Sequence, residues 1–166
     1  IRLLKVASLQ FEEHRGDTVP AYAILSHRWY EPELSFRKIK DFCYQASEQG
    51  IEYVWVDTCC IDKSSSVELQ ESLNSMQSWY AKSAVCFAYL RDVDLHHVPT
   101  RRASRSPNEG QLNKSLETSF KKSNWFTRGW TLQELVAPRH LIFFDRQWAK
   151  LAMHEKFIPR SLPSQV

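Results

Sequence analysis

Tyr22-Ala23-Ile24-Leu25-Ser26 is an unbroken apolar run that follows Pro20 and gives way to the polar His27-Arg28. A run this short between turn residues reads as a buried strand, not a helix. Three more runs follow: Tyr53-Val54-Trp55-Val56-Asp57, Ala84 to Leu90 through Val85, Cys86, Phe87, Ala88 and Tyr89, and His140 to Phe144 through Leu141 and Ile142. None alternates apolar with polar residues, as a strand with one wet face would. Helical spacing fills the gaps between them. Ser35 precedes Phe36, Ile39, Phe42, Cys43 and Ala46, and Gly50 stops that helix. Ser65 and Glu68 have capping-box spacing, ahead of a stripe of Leu69, Leu73, Met76 and Tyr80 that reads as a core face. Trp125 to Ala137 is helical over its second half, with Pro138 at its end. The order strand, helix, strand, helix, strand, loop, helix, strand predicts an α/β fold. Continuous apolar strands make its sheet mainly parallel and covered on both faces, as in a flavodoxin-like three-layer sandwich.

The chain has 166 residues, enough for one domain that buries roughly 70% of its unfolded surface. Hydrophobic residues at 43% and charged residues at 25% exclude a disordered or collagen-like chain. No apolar run approaches the roughly 18 residues of a membrane span, and Ile1-Arg2-Leu3-Leu4-Lys5 lacks the apolar stretch of a signal peptide. The expectation is a soluble cytoplasmic domain with no membrane partner. The spacing of Gly16, Gly50, Gly110 and Gly129 excludes both the dinucleotide-binding G-x-G-x-x-G and a Walker A loop. Cys43, Cys59, Cys60 and Cys86 form no C-x-x-C and, with His96 and His97, no recognised ligand spacing. They read as reduced thiols, and no metal or cofactor is expected. Net charge is +3, too small to name a nucleic acid partner. Its distribution is uneven. Residues 50–80 carry Glu52, Asp57, Asp62, Glu68 and Glu71, and residues 100–122 carry Arg101, Arg102, Arg105, Lys114, Lys121 and Lys122. Residues 96–119 read as an exposed basic loop.

In a parallel sheet, ligands sit at the carboxyl ends of the strands near the topological switch point. Two segments fall there: Ser26-His27-Arg28-Trp29 after the first strand, and Asp57-Thr58-Cys59-Cys60-Ile61-Asp62-Lys63 after the second. Trp29 is expected to be partly buried, with one edge lining the cleft.

The residues resemble a known family. Tyr22 to Trp29 resembles the opening motif of the fungal HET (heterokaryon incompatibility) domain. Val54 to Lys63 resembles its second motif, and Trp125-Phe126-Thr127-Arg128-Gly129-Trp130-Thr131-Leu132-Gln133-Glu134-Leu135 its third. The motifs occur in the family's order over residues of about 20–145, within a single domain of residues 1–166. Arg28 departs from the short polar residue or Tyr that commonly precedes the tryptophan, and only Glu31 to Ser35 stand where members carry a longer insert. The variety most similar is the one ahead of a NACHT and WD repeats in NLR-like proteins. That resemblance implies a trigger of programmed cell death in nonself recognition, with the NACHT and WD repeats as partner domains and self-association as the activating step. HET domains are in turn similar to TIR domains. Trp130 to Leu135 resembles the TIR pattern in which a helical glutamate serves NAD glycohydrolysis. Glu134 would then be catalytic, on NAD or a related nucleotide as substrate. Ser26, His27, Arg28, Trp29, Asp57, Lys63 and Trp130 would bind that substrate, with Arg128, Cys60 and Asp62 in support.

The residues themselves leave other roles open. Thr131 and Glu134 also have capping-box spacing, which would tie Glu134 to the backbone N–H of Thr131. Trp130 is read first as core and second as a stacking surface. Arg128 fits a structural bridge to Asp57 or Asp62, and Ser26 or Asp57 could cap the loops that follow them. A Cys60–His27 or Ser26 nucleophile has none of the usual surrounding signatures. A non-enzymatic module acting by assembly is the other function class, since opposed basic and acidic segments favour head-to-tail contacts.

Overall fold

A computed structural model describes residues 1–28, 32–95 and 109–151. Trp29, His96, His97, Arg101, Arg102 and Arg105 lie outside them, and with them the expectations placed on those residues. The chain opens with β1 (Arg2–Lys5) and β2 (Phe11–Glu13), then β3 (Tyr22–His27) and α1 (Pro32–Ser47). β4 (Tyr53–Trp55) leads through the short α2 (Asp57–Cys60) into α3 (Ser66–Lys82) and β5 (Val85–Tyr89). α4 (Glu109–Lys121), a 3-10 turn over Asn124–Thr127, α5 (Thr131–Val136) and β6 (Leu141–Phe144) complete the described chain.

The strands form one sheet in the order β2-β1-β4-β3-β5-β6. β4, β3, β5 and β6 run parallel, as the continuous apolar runs require. The β1–β2 hairpin joins antiparallel at the β4 edge. It was not foreseen, because each strand is too short to carry a period. From β3 the chain crosses to β4 on one side and then returns past β3 to β5 on the other. The switch point, and the crevice it opens, therefore lie at the carboxyl ends of β3 and β5.

Side chains of β5 alternate between two covers. Phe87 meets Phe42 of α1 at 5.5 Å between ring centroids. Ala88 packs with Leu116 and Phe120 of α4 and with Trp125, and the Cys86 thiol faces the Glu134 carbonyl of α5. Helices thus cover both faces. α3 lies on the α5 side, where the Tyr80 hydroxyl donates to the Leu25 carbonyl.

Local chemistry explains the boundaries. The Ser65 hydroxyl accepts the Glu68 N–H at 3.2 Å and starts α3. The Glu68 carboxylate does not close the box. It accepts from the Asp62 N–H and from Arg2 of β1. α1 starts at Pro32, three residues before the expected phase, and Pro suits a first helical position. Phe36 is 60% exposed and Leu73 is 36% exposed, so neither belongs to its expected core stripe. Residues 109–121, expected as the end of a loop, are helical because Leu116 and Phe120 give one apolar face to bury; residues 96–108 lie outside the described chain.

Candidate functional site

Ser26 points from the end of β3 toward α5. Its hydroxyl donates to Glu134 Oε2 at 2.6 Å and accepts the Trp125 indole N–H at 2.7 Å. The Arg128 guanidinium donates to both carboxylate oxygens of Glu134, at 3.1 Å and 3.2 Å. Such a fork fixes a carboxylate in position as well as in charge. Glu134 is only 3% exposed. Burial raises its carboxyl above the usual range, Arg128 and the Ser26 hydroxyl pull it back, and the Asp57 charge raises it again.

This geometry replaces two readings of the sequence. Arg128 bridges to Glu134, not to Asp57 or Asp62, because the turn after the 3-10 segment folds it over the start of α5. Glu134 does not return to Thr131, whose hydroxyl donates to the Trp125 carbonyl at 2.6 Å instead. Trp130, first read as core, is 46% exposed, while Trp125 takes the buried place. Glu134 lines a cavity of about 400 Å³ with Arg28, Asp57, Arg128 and Trp130, and Leu73 and Met76 supply an apolar side.

The other strand-end residues divide. Asp57 begins α2, and its Oδ1 lies 3.8 Å from His27 Nε2. His27 is buried, and neither ring nitrogen has a hydrogen-bond partner among the described residues. Burial holds its imidazole well below the usual range, with Lys38, Arg128 and Lys63 adding to that effect. Cys60 is buried, with its sulfur accepting the Val56 N–H at 3.3 Å and its carbonyl accepting from Arg2. Hydrogen bonding to Cys59 and burial hold the Cys60 thiol well above its usual range, which suits a structural thiol and not a nucleophile. Asp62 accepts both the N–H and the hydroxyl of Ser64, so it caps the loop before α3. Lys63 is exposed and lines neither this cavity nor the next.

A second cavity, about 710 Å³, opens along the same edge of the sheet and shares Arg28 with the first. Arg37 and Lys38 of α1, Arg91 after β5 and Arg146 after β6 line it, against Asp41 and Asp92. Sequence reasoning missed this cleft. Arg91 and Arg146 follow strand ends and could have been found by the rule that drew attention to Arg28. Nothing in the sequence aims Lys38 at that edge. Among the described residues, no cluster of three or more His, Cys, Asp or Glu side chains could hold a metal, and no helix is long and apolar enough to cross a membrane.

Fold and site together define a flavodoxin-like α/β module with polar clefts at its switch point. Residues 22–134, from the start of β3 to Glu134 itself, match the family described as Heterokaryon incompatibility protein (HET). The chain belongs to that family. It is similar to the Vegetative incompatibility protein HET-E-1 of Podospora anserina, 44% identical over 149 residues that cover 80% of this chain. The match covers 10% of that relative's length. No solved structure matches the chain.

Proposed function

We propose that this domain is a cell-death effector of heterokaryon incompatibility and that it acts by hydrolysing the glycosidic bond of NAD or a related nucleotide. Family membership and the name of the relative support the first part. The observation that carries the second is the Glu134 carboxylate, clamped by Arg128 and Ser26 on the wall of a switch-point cavity.

The chemistry needs little more. When the bond from ribose C1′ to nicotinamide breaks, its electron pair leaves with the neutral nicotinamide and positive charge develops on the ribose. A fixed carboxylate beside the sugar stabilises that charge, as in glycosidases. Water then adds to C1′ and releases a proton, giving ADP-ribose. Glu134 Oε1 accepts one hydrogen bond, from Arg128, which leaves a lone pair for a ribose hydroxyl or the attacking water. Trp130 on the rim provides a face for the leaving ring. Self-association, driven by NACHT and WD-repeat partners, would switch the domain on.

The test is nicotinamide release from NAD by the domain fused to a forced oligomeriser, compared with a Glu134→Gln, Arg128→Met double variant. Removing both partners avoids leaving a half-buried guanidinium without its counter-charge. Release by the parent and at least a hundredfold less by the variant supports the reading. Equal release removes Glu134 from the mechanism. No release from any oligomer leaves the second reading, a signalling module that acts by assembly. The exposed Leu132 and Val136 of α5 favour that alternative.

A further inference from the structure

The larger cavity lies beside the Glu134 network and meets it at Trp125, whose indole N–H donates to Ser26. Five cations line it, Arg28, Arg37, Lys38, Arg91 and Arg146, against two carboxylates, and Arg146 also pairs with Asp94 at 3.5 Å. One of those carboxylates is already committed: Asp92 accepts the Ser123 hydroxyl at 2.6 Å and the Asn124 N–H at 2.7 Å. The other, Asp41, lies 4.0 Å from Arg37 on the same exposed helix face. Lys38 makes no hydrogen bond or ion pair among the described residues, yet it is half-buried. Burial pulls its ammonium down to about 8, against the opposing charge of Asp57. An anion brought into the cavity would offset the cost of that burial.

The walls favour a small ligand over a polymer or a peptide strand. The cavity's volume, about 710 Å³, is within the range of nucleotide-sized sites. Its aromatic wall pairs Tyr89 with Trp148, ring centroids 4.8 Å apart. That wall is built in advance. The buried Asp145 carboxylate accepts the N–H groups of Leu95, Gln147 and Ala149, and it holds Trp148 at φ 62, a conformation a tryptophan rarely adopts. Cations at the carboxyl ends of β3, β5 and β6, beside the half-buried Tyr89 that packs on Trp148, suit a diphosphate with an attached nucleoside.

We propose that this cleft binds the diphosphate of a nucleotide, with Lys38 as the cation that the phosphate neutralises and Arg28 as the residue shared with the Glu134 cavity. Naming the diphosphate of a dinucleotide as the group held rests on the glycohydrolase reading. Anion binding itself does not. A ligand that lies across Arg28 would place its phosphates in the larger cleft and its scissile sugar beside Glu134.

Calorimetric titration at low salt tests this with three probes: inorganic pyrophosphate, ADP-ribose and neutral adenosine. The proteins are wild type and Lys38→Met, which keeps the apolar stem and removes the charge. Wild type should bind pyrophosphate and ADP-ribose, ADP-ribose more tightly, and adenosine at least a hundredfold more weakly than ADP-ribose. Lys38→Met, with its fold verified by circular dichroism, should lose tenfold or more for both anions and little for adenosine. A folded Arg91→Met variant should show the same pattern. Three results overturn the proposal: no saturable binding of either anion at millimolar concentration, undiminished binding by both variants, or tighter binding of a single-stranded RNA than of ADP-ribose. The two claims fail separately. ADP-ribose binding without nicotinamide release removes the activity and keeps the cleft. Nicotinamide release with no loss on Lys38→Met keeps the activity and removes the cleft.

Discussion

The two cavities lie on either side of Arg28 and solve opposite problems. Around Glu134 four side chains are matched to one another: Ser26 with Trp125 and Glu134, and Arg128 with both carboxylate oxygens. Around Lys38 the cations outnumber the carboxylates, and one of the carboxylates is committed elsewhere. A satisfied network holds a group in a fixed geometry. A half-buried ammonium such as Lys38 carries a desolvation cost that a ligand can relieve. Stability should therefore depend on the Glu134 side, and anion affinity on the Lys38 side.

The sharpest way to break that contrast is Glu134→Gln alone. It leaves the Arg128 guanidinium half-buried without its counter-charge and should cost about 3–5 kcal/mol in chemical denaturation. Adding Arg128→Met should recover most of that loss. If the double variant is no more stable than the single one, the pair is not the unit that the geometry describes.

A smaller effect is expected at Ser26→Ala. The Trp125 indole N–H loses its acceptor and Glu134 one donor, at a cost of about 1–3 kcal/mol. A midpoint within error of wild type would show that water replaces the hydroxyl at both partners.

Lys38→Met should act in the opposite direction and raise stability at pH 7, since it removes an ammonium that the fold desolvates. Its signature is in pH. The Lys38 ammonium titrates at about 8 in the folded domain against 10.5 in the unfolded chain. Between those values the unfolded chain binds more protons, so this group makes stability rise with pH across that window. Asp57 opposes the depression and Arg91 adds to it, and both remain in the variant. The difference in denaturation midpoint between wild type and Lys38→Met should therefore move toward wild type from pH 8 to pH 10. A difference that stays flat would place Lys38 in water.

The strands of the parallel sheet were legible because a strand covered on both faces must be apolar throughout, and that property is written residue by residue. β3 matches the first run with one residue added, His27, and β6 matches the last but for His140. β4 stops at Trp55 because Asp57 turns the chain into α2. The hairpin and α4 were not legible. Their apolar residues are few and acquire meaning only when the β4 edge and the Phe143 face are there to bury them.

The candidate site divides in the same way. That Ser26, Arg28, Asp57 and Glu134 belong near one edge follows from the order of strands and helices, since the carboxyl ends of parallel strands come together wherever such a sheet forms. Which carboxylate Arg128 would take could not be decided from spacing, because Asp57, Asp62 and Glu134 are equivalent until distance separates them. Only the fold brings Glu134 to 3.1 Å from Arg128. The larger cleft depends on tertiary structure entirely. Its cations come from α1 and from the segments after β3, β5 and β6, and only the packing of α1 beside those strand ends brings them to one cleft.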